Sequence, residues 1–340
     1  MIVVYTGNRQ NACDAICHMK STLNRRQFVK TIATTGMAGA ALMTQLPRSL
    51  GQDAPKRKMT VDLVCGAIGV SAGQRESIQL AARHGFESVE ANGSYLAALS
   101  DDQHSELMAE MKAQKLVFGA AGLPVEFRRT DALFAEGMKG LAAFAAGLQR
   151  AGVTRVSTWL MPCHSTMPYL HNFKQHAARL REVAQVLKDQ QIRLGLEYVG
   201  PKTSWTSQRY SFIHTMAEMK ELIAEIGTGN VGFLLDSWHW YHAGDTVEDL
   251  LSLANKDVVA VDLNDAPAGV PKDQQSDGKR ELPCATGVID VAAFLNALNR
   301  IGYDGPVRSE PFNKALNAMP KDDACAASAK ALRQAMSLIR

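Results

Sequence analysis

Four acidic residues of this chain stand in segments that are otherwise apolar. Glu197 comes late in "RLGLEYVG", Asp236 ends "NVGFLLD", Asp262 lies inside "DVVAVDLND" with Asp265 three residues on, and Glu310 follows "GPVRS". A carboxylate inside an apolar run is costly to bury unless it is paired or binds a cation. If four such groups converge, a divalent ion is the simplest way to keep them ionised together. An all-oxygen set suits Mg2+ or Mn2+ better than Zn2+. Separate salt bridges to arginines are the competing reading. His239 follows Asp236 by three residues in "LLDSWHWYHAG", among Trp238, Trp240, Tyr241 and His242. Sugar rings stack on flat aromatic faces, so both a metal-assisted carbohydrate site and a buried structural cluster fit these residues.

Residues so far apart in sequence need elements that bring them to one place. From Met59 onward the chain alternates short apolar runs with helical patterns. The strand candidates are "VDLVCGAIG", "ESVEA", "LVFGAAG", "TRVSTWLM", "RLGLEYVG", "NVGFLLDSW", "DVVAVDLND" and "GPVRSEPF". Between them, sets such as Leu180, Val183, Ala184 and Leu187 have the spacing of one buried helix face. Gly85, Gly152, Gly227 and Gly302 each follow such a set, where a left-handed helix cap is expected. Eight strand-helix units predict an α/β fold, a (β/α)8 TIM barrel forming a single domain over 59–340. A doubly wound sheet would carry a Gly-rich phosphate turn after its first strand, and "GAIGVSAGQRE" matches that poorly. Barrel chemistry sits at the C-terminal strand ends, where all four carboxylates fall. Glu90 ends the second strand and either touches substrate or pairs with a neighbouring Lys or Arg. Trp238, Trp240 and Tyr241 fall on the loop that would roof the site, beside Trp205 and Trp159; one or two of these, Trp238 first, are candidates to stack on a sugar and the rest are packing, while His164 and His242 are more readily structural. The polar loop "PKDQQSDGKRELPCATG" after strand seven has the make-up of a mobile lid, and its Arg280 is a candidate to grip a substrate oxygen.

The chain has 37 basic and 34 acidic residues, a net charge of +3, too balanced to argue for a nucleic-acid partner. Its six cysteines show neither metal-finger pairing nor the density of a disulfide-stapled module. Residues 1–58 read as a twin-arginine-type export signal and linker, with Arg25 and Arg26 before a moderately apolar stretch and the polar "GQDAPKRK". Translation from Met19 would give a more natural signal. The apolar run is too short and polar for a stable membrane anchor. The expected location is periplasmic, or cytoplasmic if the signal is not used. Nothing in the sequence fixes the oligomeric state, and a homo-oligomer is compatible with it.

From Val61 to the C-terminus the chain resembles the sugar phosphate isomerase/epimerase family, the xylose isomerase-like barrels that include tagatose epimerase, hydroxypyruvate isomerase and, more distantly, endonuclease IV. The motifs that carry the resemblance are "LGLEYVGPKT", "LLDSWHWYHAG", "VDLNDAP" and "GYDGPVRSEPF". The resemblance implies one divalent metal, Mn2+ or Mg2+ with Co2+ or Zn2+ as alternatives, held by Glu197, Asp236, position 262 and Glu310. It also implies that His239 and Arg280 contact substrate oxygens. Asp262 departs from the family pattern, which has a metal-binding His there; it is a harder ligand, or Asp265 or a distant His fills the place. The implied reaction moves a proton beside the carbonyl of a ketose or related sugar through an enediolate, with Glu197 and Glu310 as base and acid. If the chain is exported, free or oxidised sugars fit better than phosphorylated ones. Two rivals are an exported sugar-binding barrel without turnover and a metal-dependent endonuclease. The latter would need histidines at the ends of strands two and three, which read "VEANG" and "GAAGLP".

Overall fold

Seven of the eight expected barrel strands form as single segments: Thr60–Leu63, Ser88–Val89, Arg155–Trp159, Arg193–Glu197, Val231–Asp236, Val258–Leu263 and Pro306–Ser309. The third, expected over "LVFGAAG", forms as two pieces, Val117–Phe118 and Ala121–Gly122. The computed structural model describes residues 57–340. The export segment with Arg25 and Arg26, the alternative start at Met19, Cys13 and Cys17 lie outside the described residues.

The two pieces of the third strand are the two ends of a nine-segment, wholly parallel sheet. Val117–Phe118 pairs with strand two and Ala121–Gly122 with strand four, so one continuous run of chain curls the sheet into a barrel. The break has a steric cause at Gly119. A Cβ there would lie 2.4 Å from Oδ1 of Asp62, so only glycine lets strand three pass that buried carboxylate.

Long helices cover the outside, each burying one stripe as its spacing predicts. Tyr169–Asp189 buries His176, Ala177, Leu180, Val183, Ala184 and Leu187. The four expected glycines all adopt positive φ at or just past helix ends, between 68° and 75°. Among the described residues no helix is long and apolar enough to cross a membrane.

Inside the barrel, Ala120, Leu234 and Ala260 form a small apolar layer separate from the outer core. Side chains two residues apart on a strand share a face, so this layer fixes what lies above it. Asp236 follows Leu234, Asp262 follows Ala260, and Glu310 follows the inward Arg308. Across strands, Asp236 is in register with Asp262, and Asp262 with Arg308. The upper lumen is therefore charged.

Candidate metal centre and substrate cavity

Glu197, Asp236, Asp262 and Glu310 meet at the C-terminal mouth of the barrel, each offering an oxygen within 4.8 Å of the others; such a group could hold a divalent metal. The first three are buried and Glu310 is half-buried. Oε1 of Glu197 is buried with no hydrogen-bond partner, a costly state that a cation would relieve. Burial pushes the Glu197 carboxyl well above the usual carboxylate range, and repulsion from Glu310, Asp236 and Asp262 adds to it. Burial likewise raises Asp236 and Glu310, although Arg280 opposes the rise in both. With Asp62 and Glu90, six carboxyl groups gather around two buried guanidinium groups, Arg280 and Arg308, while Arg128 at the rim is already paired with Glu126. That imbalance is the electrostatic signature of a cation site.

Arg280 spends its donors on protein acceptors. Nη1 donates to Oδ2 of Asp236 at 2.8 Å, to Oε2 of Glu310 at 3.1 Å and to the Glu310 carbonyl at 3.2 Å. Nη2 donates to Oδ1 of Asp277 at 2.8 Å and Nε to the Asp277 carbonyl at 3.1 Å. Arg308 is committed differently: Nε and Nη2 donate to the two oxygens of Asp262, the latter at 3.0 Å. Both oxygens of Asp262 are thus already held by a guanidinium.

His239 enters from a short helix, Ser237–Ala243, that starts directly after strand six. Asp236 starts this helix, its Oδ1 accepting from the Trp238 N–H at 2.8 Å. Nδ1 of His239 faces the Gly200 N–H at 3.2 Å and Nε2 faces Nη2 of Arg280 at 3.3 Å, so both ring nitrogens meet donors. Burial, then the charge of Arg280, holds the imidazole well below its ordinary pKa, so it is neutral. Nε2 lies 3.9 Å from Oε1 of Glu197 and 3.8 Å from Oδ2 of Asp236, at the edge of the carboxylate cluster.

The sequence expectations divide accordingly. Glu197, Asp236, Asp262, Glu310, His239 and Arg280 are brought together, and Glu90 borders the same lumen. Trp238 does not line the cavity: it is fully buried, packed against His242 with ring centroids 4.1 Å apart and set under Arg280. A helix replaces the expected roof loop and turns that face inward. Trp205 stacks on His214, and His164 accepts two backbone N–H groups. The aromatic walls of the cavity, about 480 Å³, are Trp159 and Phe312. Asp265 is a loop organiser: its two oxygens accept from the N–H groups of Ala266, Thr286, Gly287 and Ile289. It pins both ends of the loop that carries Arg280.

Other functional side chains were not singled out by sequence. Asn264 bridges Oδ1 of Asp236 and the Glu310 N–H, at 2.9 and 3.1 Å, locking three strand ends together. Asp277 carries Arg280. Asp62, in "TVDL", carried the same signal as Asp262, a carboxylate in an apolar strand.

A fold and site of this kind define a class of enzyme-bearing barrels. Residues 78–336 match the family described as "Xylose isomerase-like TIM barrel", and the chain belongs to that family. A solved xylose isomerase domain protein from Alicyclobacillus acidocaldarius subsp. acidocaldarius is 30% identical, with a TM-score of 0.72, over 82% of this chain and 99% of that one. An inosose isomerase of Bacillus velezensis is 28% identical over 143 residues, 41% of this chain and 46% of that protein. The chain spans about half the length of the curated relatives it matches. The crystal structure of IOLI protein with a binding zinc atom has a TM-score of 0.67 over 82% of this chain and 98% of that one; at 20% identity it shows the fold alone.

Proposed function

We propose that this barrel is a divalent-metal-dependent isomerase or epimerase of a ketose or cyclic keto-polyol. The observation that carries the proposal is the convergence of four carboxylates around the buried, unpartnered Oε1 of Glu197. The residues fit a metal: Glu197, Asp236 and Glu310 would hold it, with Asp262 at its edge sharing its charge with Arg308. When bound, the ion supplies Lewis-acid stabilisation of charge growing on substrate oxygens. Glu197 takes the proton from the carbon beside the carbonyl, and Glu310, whose carboxyl is raised, returns one from the other side of the cavity. His239, with Nε2 at the edge of the carboxylate cluster, contacts a substrate oxygen. The inosose isomerase relatives and the family support this reaction class. Export as a folded, loaded protein is part of the proposal; cell fractionation of the whole chain and of an Arg25→Lys/Arg26→Lys variant tests it separately.

The test is metal content by elemental analysis, then proton exchange in D2O with 2-keto-myo-inositol and D-fructose followed by NMR. Glu310→Gln is expected to lose metal and to slow exchange about 10²- to 10⁴-fold. A wild type that stays empty after incubation with Mn2+, Mg2+, Co2+ and Zn2+ in turn sinks the reading. The Asp262–Arg308 pair at the histidine position favours a second reading, a sugar-binding barrel without turnover. That protein would bind these ketones without exchanging their protons.

A further inference from the structure

A second lobe of the cavity, about 410 Å³, lies along Glu90, Ser157, Glu197, Arg308 and Glu310. Arg308 is presented there in a fixed pose. Asp262 holds it through Nε and Nη2 from the neighbouring strand, leaving Nη1 with no hydrogen-bond partner among the described residues. Glu90 lies within electrostatic range of it and also borders the lobe. No hydrogen bond to the Glu90 carboxylate is found among the described residues. Arg280 offers no such free edge, since its N–H groups are spent on Asp236, Asp277 and Glu310.

A free guanidinium N–H beside a free carboxylate suits a hydroxyl group, which accepts from one and donates to the other. It suits an anion poorly. The charges of Arg308 and of Arg128, which also borders the lobe, are already matched by Asp262 and Glu126, and an incoming phosphate or carboxylate would face Glu90, Glu197 and Glu310. We propose that Arg308, held by Asp262, and Glu90 form a polyol-reading subsite that selects neutral polyhydroxylated ketones over phosphorylated or carboxylated ones. This rests on the keto-sugar reading above and names the substrate class of that same site.

The test uses the full Mn2+-loaded chain and calorimetric titration with 2-keto-myo-inositol and D-fructose as neutral probes, against fructose 6-phosphate and 5-ketogluconate. Arg308→Lys keeps the charge and loses the planar Nη1. It should weaken binding of the neutral probes about tenfold, raising KM more than it lowers kcat, with metal content unchanged. Glu90→Gln should weaken the neutral probes and improve 5-ketogluconate. Unchanged affinity in Arg308→Lys, a wild type that binds no neutral probe or prefers fructose 6-phosphate, or metal loss in Arg308→Lys each overturns the subsite. If wild type binds the neutral ketones and Arg308→Lys does not, yet no proton exchanges, the isomerase reading falls while the subsite stands.

Discussion

Two buried arginines face the same lumen and do opposite things with their charge. Arg280 arrives on a loop and is shared among Asp236, Asp277 and Glu310, which together outweigh burial and drive its pKa far up. Arg308 rises from a strand and is paired one-to-one with Asp262. The first neutralises a crowd of carboxylates; the second is itself neutralised and left with an edge to offer. Burial and residue type are the same in both, so the number of acceptors around each guanidinium sets its job. A cation held as proposed would compete with Arg280 for Asp236 and Glu310 and leave Arg308 in place.

That contrast is broken most forcefully at Arg280. Arg280→Met leaves three carboxylates uncompensated and should destabilise the metal-free protein by about 3–5 kcal/mol in denaturant titration. Saturating Mn2+ should recover most of the loss, because the ion replaces the guanidinium charge. A variant as unstable with Mn2+ as without it would show that the carboxylates do not share one cation.

The pH dependence of metal uptake sharpens the same point with a smaller effect. Glu197, Asp236 and Glu310 have raised pKa values, with Asp236 at about 7 and Glu310 at about 8. The free site therefore holds protons near neutrality that the ion must displace. Apparent affinity for Mn2+ should tighten as pH rises, by at least roughly 100-fold from pH 6 to 8, at about one decade per proton released. Titrations in buffers of different ionisation heat read the protons directly, and a flat profile would mean that carboxylates already ionised through Arg280 bind the ion.

What the sequence revealed follows from how local each signal is. Glu197, Asp236, Asp262 and Glu310 were legible because a carboxylate in an apolar strand is anomalous within a few residues of itself. The helix caps at Gly85 and Gly227 were legible for the same reason. Arg308 was hidden because its meaning depends on Asp262, 46 residues away and opposite it only once strand register is known. Trp238 misled because aromatic richness beside Asp236 fits a roof or a buried face equally. The Asp236 cap that starts a helix there decides between them. The break in strand three was unreadable without Asp62, since "LVFGAAG" reads as one strand until the carboxylate beside Gly119 is in view.

Asp62 gives the smallest and cleanest effect, at the floor beneath the Arg308 lobe. It is 1% exposed and neither oxygen has a hydrogen-bond partner, although nearby Ser88 and the charge of Arg308 soften the cost. Burial lifts its carboxyl from 3.8 to about 7. An acid with a folded pKa above its unfolded one is more protonated in the native state between the two, so stability falls as pH rises through that window and levels off above it. Asp62→Asn keeps the shape and removes the proton. The unpartnered amide should cost about 1–3 kcal/mol at every pH, so the metal-free variant is less stable than wild type near pH 4 and about 1–2 kcal/mol more stable at pH 8, once the wild type has lost about 1.4 kcal/mol per pH unit through its titration. Thermal melts of both proteins across pH 4–8 would show two curves that cross as pH rises. Parallel curves would mean that Arg308 keeps Asp62 ionised throughout, and Arg308 would then serve two carboxylates, as Arg280 serves three.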